Sequence, residues 1–511
     1  MQKNKFYIGY ENSGEKCDHK TEFFNAAAAQ EFEVDFIVHH IRPDKTVAEE
    51  VEFAKNMAAK FDRHHIEFIP NCETANWRAD FAGPDGFDWA TGPEGSHRFR
   101  FPKEVMDAYA ASPMFAGVLY DEAEHCIINR NLSLTHQNKN IDMPFFPDRP
   151  DFDIQQTSRH IYECSLALLN ECKTNGAKRV LGEHVFPVLL HTFAKAGITP
   201  NYKQQKEGWS NIFAACAMGA AKQYNTELWT CIDLWFGLLY PGHSPKEMEY
   251  NLRYAFLIGV DRAYVESCKD FYTMPNKDEL QLTEYGEAFK RFSTVYLKEN
   301  NRNYTHRDFE PLIAIIHFDD GDWGQTDDWV WKAMLLGNKN LKPDDATHEW
   351  LRAWHTISHG NTKVESLYWG RMEAYAETPH RSFAPVNSPI VYDETVKKEL
   401  LESLELCFLC GVFISDETLA DVATLVKENG LTVVTSKRFA PKHIVSEHHG
   451  EFTEITDGNG RWIITDDMAS DAVKVAVAPL LGENDKMTYR LKGGKTICLK
   501  IAEDGDSFEE L

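Results

Sequence analysis

Between Phe6 and Glu266 the chain alternates repeatedly between short runs rich in Val, Ile, Tyr and Phe and longer segments of helical period. No other feature restricts the fold so strongly. The strand candidates are Phe6–Tyr10, Val34–His39, Ile66–Asn71, Gly117–Asp121, Arg179–Glu183, Ile198–Tyr202, Leu228–Asp233 and Ala263–Glu266. Amphipathic helices are expected over Val47–Phe61, Ile154–Asn175, Pro187–Ala196, Ile212–Tyr224, Pro245–Ile258 and Thr283–Lys298. Ser244-Pro245 opens one as N-cap and first-turn proline, while Gly176 and Gly197 close two others. Eight such units make a closed (β/α)₈ TIM barrel, assigned to residues 1–305. An open doubly wound sheet has fewer strands and a glycine-rich phosphate loop after the first, and no such loop is present.

After Asn300 the texture changes. Pro311–Phe318, Pro389–Tyr392, Cys407–Ile414 and Leu431–Val434 read as strands. Helices are expected around Trp329–Leu336, Ala346–Ile357, Glu394–Leu404 and Thr418–Gly430. This is the pattern of a small flavodoxin- or amidotransferase-like α/β domain over 306–445. From about Gly450 only strands are read: Phe452–Ile455, Trp462–Ile464, Val473–Val477, Thr488–Leu491 and Thr496–Ile501. They suggest a small antiparallel β-domain over 446–511.

A formal net charge of −25 without a basic stripe excludes nucleic acid as the main partner. No apolar run approaches the ~20 residues of a membrane helix, so no membrane partner is expected. Met1 to Lys5 leads straight into a strand, so the chain as written reads as cytoplasmic; removal of a signal peptide would make it periplasmic or secreted. Eleven cysteines, scattered through helices and strands, read as reduced thiols. Homo-oligomerisation is left open.

Barrel enzymes carry their reactive groups at the C-terminal ends of the strands. Here those ends are acidic and aromatic. They supply Glu11; His39-His40; Asn71 and Glu73 with Trp77; Asp121, Glu122, Glu124 and His125; Glu183-His184; Lys203 with Trp209; Asp233 with Trp235; and Glu266. Alternation along the strands places Tyr120, Glu122 and Glu124 on one face, Cys231, Asp233 and Trp235 on another, and Arg262, Tyr264 and Glu266 on a third. Cleaving a glycosidic bond takes one carboxylic acid to protonate the leaving oxygen and a second carboxylate to attack, stabilise or activate water. Sugars also stack on indole rings. The catalytic candidates are Glu122 as proton donor, Glu266 or Asp233 as its partner, and Asp121 and Glu124 beside them. Glu11, His40, Glu73, Trp77, Glu183, Lys203, Trp209 and Trp235 are candidates for holding an oligosaccharide or polysaccharide, with no cofactor and no metal required.

Any one acidic residue at a strand end is more simply a helix cap or a solvated group; only their number points to chemistry. Cys407 and Cys410 have metal-like spacing but sit in an apolar strand without a second pair, which reads as core. Two other classes compete. Asp121, Glu122, Glu124, His125 and His184 offer ligands for Mn²⁺, Mg²⁺ or Zn²⁺ in a metal-dependent barrel isomerase or hydrolase. A catalytically inactive carbohydrate-binding barrel would carry the same residues.

The stretch from Ser244-Pro245-Lys246-Glu247-Met248-Glu249 through Gly259-Val260-Asp261 to Tyr264-Val265-Glu266 resembles the seventh helix and eighth strand of family 42 type β-galactosidases, and Leu282–Phe289 resembles their eighth helix. Phe413-Ile414-Ser415, the helix Thr418–Gly430 and Leu431–Val434 are similar to their amidotransferase-like domain, without a nucleophilic cysteine elbow. The resemblance implies a glycoside hydrolase whose second domain supports assembly and does no chemistry. Asp121-Glu122 stands where that clan has Asn-Glu, Asp233 where it has a glutamate, and the four-cysteine zinc cluster is absent. A separate family is therefore implied, and neither β-galactosidase activity nor retention of configuration is carried over.

Overall fold

Eight parallel strands close on themselves in sequence order. They are β1 (Tyr7–Asn12), β2 (Phe36–His40), β3 (Glu67–Asn71), β4 (Val118–Asp121), β5 (Val180–His184), β6 (Thr199–Gln204), β7 (Trp229–Asp233) and β8 (Arg262–Glu266). Tyr7 to Tyr10 of β1 pair with Arg262 to Val265 of β8 and seal the barrel. The computed structural model describes residues 6–12, 28–42, 45–72, 99–129, 145–147, 149–205, 210–234, 242–266, 271–276, 279–323, 334–338, 340–362 and 382–511.

Both faces of these strands are buried, so they read as nearly continuous apolar runs. Phe36, Val38, Ile69, Leu119, Leu181, Trp229, Cys231 and Tyr264 point inward and form their own core. The alternate residues, among them Ile37, Phe68, Tyr120 and Val180, pack under the helices. Arg262 closes the N-terminal end: its guanidinium lies 4.3 Å from the Tyr7 ring and 5.0 Å from Trp229, and bonds Glu67 at 2.6 Å.

The surrounding helices are α1 (Val47–His64), α2 (Lys103–Ala110), α3 (Ala123–Asn129), α4 (Ile154–Thr174), α5 (Leu190–Ala196), α6 (Ser210–Tyr224), α7 (Pro245–Leu257) and α8 (Glu284–Arg291). Local sequence starts three of them with capping boxes: Thr46 with Glu49, Asp153 with Gln156, and Ser244 with Glu247 followed by Pro245. Gly197 ends α5 at φ 96°, where a side chain would be strained. A short hairpin, β9 (Tyr272–Asn276) and β10 (Glu279–Leu282), precedes α8.

Beyond the barrel lie β11 (Ile313–His317), α9 (Asp345–Ile357), β12 (Val386–Asn387), β13 (Pro389–Tyr392), β14 (Leu406–Cys410), α10 (Asp416–Asn429), β15 (Thr432–Thr435), β16 (Phe452–Asp457), β17 (Gly460–Thr465), α11 (Asp471–Val477), β18 (Lys486–Arg490), β19 (Thr496–Ile501) and β20 (Phe508–Glu510). They build a six-stranded sheet, β13-β11-β14-β15-β17-β16, and a four-stranded one, β12-β18-β19-β20. Cys407 and Cys410 are buried in the first, and the eight cysteines among the described residues are free thiols.

Three expectations are corrected. Val473–Val477 is helical: Ser470 caps α11, Val473 and Val477 are buried one turn apart, and the intervening Val475 is 76% exposed. Glu394–Leu404 forms only a short 3₁₀ turn at Lys398–Leu400, because Asp393 binds the Thr395 N–H and Thr418 binds the Val396 N–H in a non-helical path. The strands β16 and β17 join the α/β sheet, β16 turning tightly through Gly458 into β17, which runs parallel to β15. Most of Trp329–Leu336 lies outside the described residues; Leu335–Gly337 is a 3₁₀ turn.

Helix α6 lies directly on β13: a Cβ added to Gly219 would sit 1.6 Å from the Val391 carbonyl oxygen. Tyr254 of α7 bonds Tyr489 of β18 at 2.7 Å, hydroxyl to hydroxyl. Among the described residues no helix is long and apolar enough to cross a membrane.

Candidate active site at the barrel mouth

On β4 the inward residues are Leu119 and Asp121, while Tyr120 faces outward and brings its hydroxyl to 3.4 Å from the Cys172 thiol on α4. The expected inward face of Tyr120, Glu122 and Glu124 is thus reversed. Glu122 enters the mouth all the same, because it takes a left-handed conformation (φ 54°) directly after the strand and turns its carboxylate onto Lys203. Such backbone is sparsely populated by non-glycine residues and concentrates at functional sites.

Lys203, inward on β6 and only 1% exposed, is the hub of the mouth. Its Nζ lies 2.9 Å from Glu266, 3.0 Å from Glu122, 3.3 Å from Glu183, 3.5 Å from Asp233 and 3.7 Å from Asp121. Strands β4, β5, β7 and β8 thus each send a carboxylate to one ammonium on β6. A second tier fixes this ring. Asn71 donates to Asp121 at 3.0 Å and reaches Glu11 at 3.5 Å, and Glu11 pairs in turn with His40. Asn201 donates to Glu183 at 2.6 Å and to the Tyr264 hydroxyl at 3.1 Å, and the Cys231 thiol lies 3.7 Å from Glu266.

One ammonium cannot balance five carboxylates at low dielectric, and proton affinities shift accordingly. Burial raises the Glu183 carboxyl; Lys203 opposes, while Glu11, Glu122 and Asp233 raise it further, to about 8. Burial works against the Lys203 charge, but Asp121, Glu122, Glu266 and Asp233 outweigh it and hold the proton well above the ordinary lysine range. Burial also works to raise Glu11, yet the His40 charge and hydrogen bond, with Lys203 and Asn71, bring it below the usual carboxylate range. At neutral pH the mouth therefore holds a carboxylic acid, Glu183, near a carboxylate, Glu11. Glu122, Asp233 and Glu266 keep 6%, 7% and 9% exposure, whereas Glu183 has none.

Glu124 turns away from this ring. Its carboxylate accepts the Val185 N–H at 2.5 Å and lies 3.3 Å from His184 Nδ1, with both side chains fully buried. The metal set Asp121, Glu122, Glu124, His125 and His184 does not converge, since Glu124 and His184 lie behind β5; the His125 side chain is outside the described residues. The one group of three donors able to hold a metal ion among the described residues is Glu183, Cys231 and Glu266, whose ligand atoms lie within 4.8 Å of one another. Lys203 sits against both of its carboxylates. His39 faces outward among Phe53, Phe61, Phe68 and Tyr109, and burial lowers its imidazole to about 3. Glu73, Trp77, Trp209 and Trp235 lie outside the described residues. Sequence reasoning noted Asn71, Cys231 and Tyr264 near the strand ends without giving them a role, and strand alternation also places Asn201 beside Lys203 and Tyr264 beside Glu266.

No protein-family model matches the chain. No curated protein matches its sequence. Solved structures do. A β-galactosidase from the Antarctic haloarchaeon Halorubrum lacusprofundi superposes with a TM-score of 0.58 at 10% identity, covering 97% of this chain and 93% of its own. The Bifidobacterium longum subsp. longum protein GH5_18 in complex with Manβ1-4GlcNAc gives 0.39 at 12% identity, over 62% and 83% of the two chains. A β-mannanase from the blue mussel Mytilus edulis gives 0.33 at 11% identity, over 60% and 94%. The first likeness runs end to end, and in architecture, a barrel followed by smaller sheet domains, this chain is similar to that β-galactosidase.

Proposed function

We propose that this chain is a glycoside hydrolase that cleaves an oligosaccharide or polysaccharide with carboxylates at the C-terminal mouth of its barrel. The observation that carries the reading is the convergence on one lysine of Glu183, whose carboxyl is raised to about 8, with the side chains of Glu122, Asp233 and Glu266. Glycosidic cleavage requires a proton donor and a second carboxylate in one site. In this reading Glu122, protonated for the step, delivers the proton to the leaving oxygen; Glu266, with Asp233 beside it, meets the oxocarbenium-like carbon. The Glu122 and Glu266 oxygens nearest Lys203 lie 3.0 and 2.9 Å from the same nitrogen and so within about 6 Å of each other, close enough for both carboxyls to reach one glycosidic bond. The fold shared with a β-galactosidase supports carbohydrate as the substrate class by analogy only.

The test is release of reducing sugars from a broad glycan panel, with and without EDTA, by the wild-type chain and by Glu122→Gln. EDTA-resistant release that Glu122→Gln abolishes while sugar binding persists is the expected result. Wild-type rates in that variant would remove Glu122 from the role of acid. A metal-dependent isomerase or hydrolase is the second reading, favoured by the donor atoms of Glu183, Cys231 and Glu266, and EDTA-sensitive turnover would select it.

A further inference from the structure

Helix α5 follows the loop that leaves β5, and it begins without a cap of its own. Leu189 stands at the N-cap position at φ 59°, with a side chain that accepts nothing. The missing acceptor comes from the second domain. Asp319 Oδ1 accepts the Leu189 N–H at 3.0 Å, and its Oδ2 accepts the Thr192 N–H at 3.1 Å and the Thr192 hydroxyl at 2.8 Å. Four residues on, Trp323 stacks on Phe186 of the same loop, ring centroids 3.5 Å apart and planes 22° from parallel. The loop is thus gripped at both ends from one short segment.

That segment is anchored in its own domain. The Asp320 side chain accepts the Asp322 N–H at 2.9 Å, the Asp320 carbonyl accepts the Leu336 N–H at 2.7 Å, and the Asp322 carbonyl accepts the Trp350 indole N–H at 3.1 Å. On the barrel side, the residue preceding Phe186 links the loop to the mouth. The Val185 N–H bonds Glu124, which lies two residues after Glu122, and the Val185 carbonyl accepts from Gln205, which lies two residues after Lys203. Glu183 lies two residues before Val185.

We propose that residues 318–323 form part of the wall of the barrel mouth, with Asp319 and Trp323 as positioning residues that set the β5–α5 loop and, through Val185, the placement of Glu183 and Glu122 on Lys203. The second domain then takes part in building the mouth, beyond the support of assembly that the sequence resemblance implies. The catalytic half of this proposal rests on the glycosidase reading; the structural half does not.

The experiment uses the full chain with Trp323→Leu, Trp323→Phe and Asp319→Asn. Amide hydrogen exchange is followed at Val185 and over Leu189–Thr192, and kcat and KM are measured on whichever glycan the wild type cleaves. In Trp323→Leu, exchange at Val185 is expected to rise and kcat to fall by about tenfold with KM nearly unchanged, as a misplaced catalytic group dictates. Trp323→Phe keeps a stacked ring and restores both. Asp319→Asn retains an acceptor but loses the charge, so faster exchange at Leu189 and Thr192 is expected from a variant that removes no packing; it stands in if Trp323→Leu does not fold. Unchanged exchange at Val185 in Trp323→Leu, or in its absence at Leu189 in Asp319→Asn, overturns the proposal. Raised exchange with wild-type kcat overturns the catalytic half. A wild-type chain that cleaves no glycan counts against the glycosidase reading, while the exchange arm still decides whether the second domain sets the loop.

Discussion

Replacing Lys203 with Met leaves five carboxylates facing one another around the space of the lost ammonium. Removing one partner of a buried ion pair costs ~3–5 kcal/mol, because the charges left behind are neither solvated nor compensated. A barrel of this size loses about 2–4 °C in melting temperature per kcal/mol, so its transition is expected to fall by roughly 10 °C at pH 7.5. The sign of the pH dependence is diagnostic. Without Lys203, burial and like charge raise the carboxyls above their unfolded values, and groups raised in this way lose stability as pH rises and regain it as pH falls. The deficit of Lys203→Met against the wild type is therefore largest near pH 7.5 and shrinks towards pH 5. Scanning calorimetry of both chains at the two pH values reads this directly. A deficit under about 2 °C at pH 7.5, or one that grows on acidification, would refute the view that Lys203 is the shared counterion of the mouth.

Glu183, raised to about 8 when folded, contributes stability that is fully present below the unfolded carboxyl value and is lost as pH rises through about 8; Glu183→Gln should flatten the melting temperature over that interval. In the same variant the alkaline limb of kcat/KM, expected near pH 8 in the wild type, should move, and a superimposable pH profile would dissociate Glu183 from turnover. Gly219→Ala pushes a methyl group to 1.6 Å from the Val391 carbonyl oxygen, so a loss of ~1–3 kcal/mol or more is expected in denaturant unfolding, with the junction of α6 and β13 opening first in hydrogen exchange. Thr46→Ala, which removes an exposed capping box, should cost only about 1 kcal/mol and leave activity untouched.

The barrel was legible because element period survives in the sequence even where face does not. All eight strands and the capped starts of α1, α4 and α7 follow from local chemistry. What failed was direction at β4. A strand buried on both faces offers no polar alternation, so the acidic run after Tyr120 was read as though the strand continued straight through it. The left-handed turn at Glu122 breaks that count, sending Glu122 to Lys203 and Glu124 to Val185. Val473–Val477 failed for the related reason that three valines at alternate positions suit a strand and also an exposed helix flank; Ser470, an N-cap residue three before Val473, was the overlooked signal. Sheet membership of β16 and β17 was not legible at all, since a strand does not encode its neighbour.

The counterion of the mouth could have been read from charge alone. Seven of the strand-end acids singled out in the sequence, Glu11, Asp121, Glu122, Glu124, Glu183, Asp233 and Glu266, lie at five different strands, and Lys203 is the sole inward lysine on any barrel strand among the described residues. Strand alternation puts Lys203 on the same face as Asn201, towards the axis. An ammonium at that depth cannot be left with a single partner, because its desolvation is repaid only by several close charges. Carboxylates held on opposite strands in turn cannot approach the axis together without a cation between them. The two requirements have one common solution, a lysine on β6 ringed by acids from β4, β5, β7 and β8, and it is the arrangement found. Where the acids at the strand ends outnumber the inward bases by so much, the one base at that end, with Arg262 at the opposite end of the barrel, marks the centre of the site more reliably than any one of the acids.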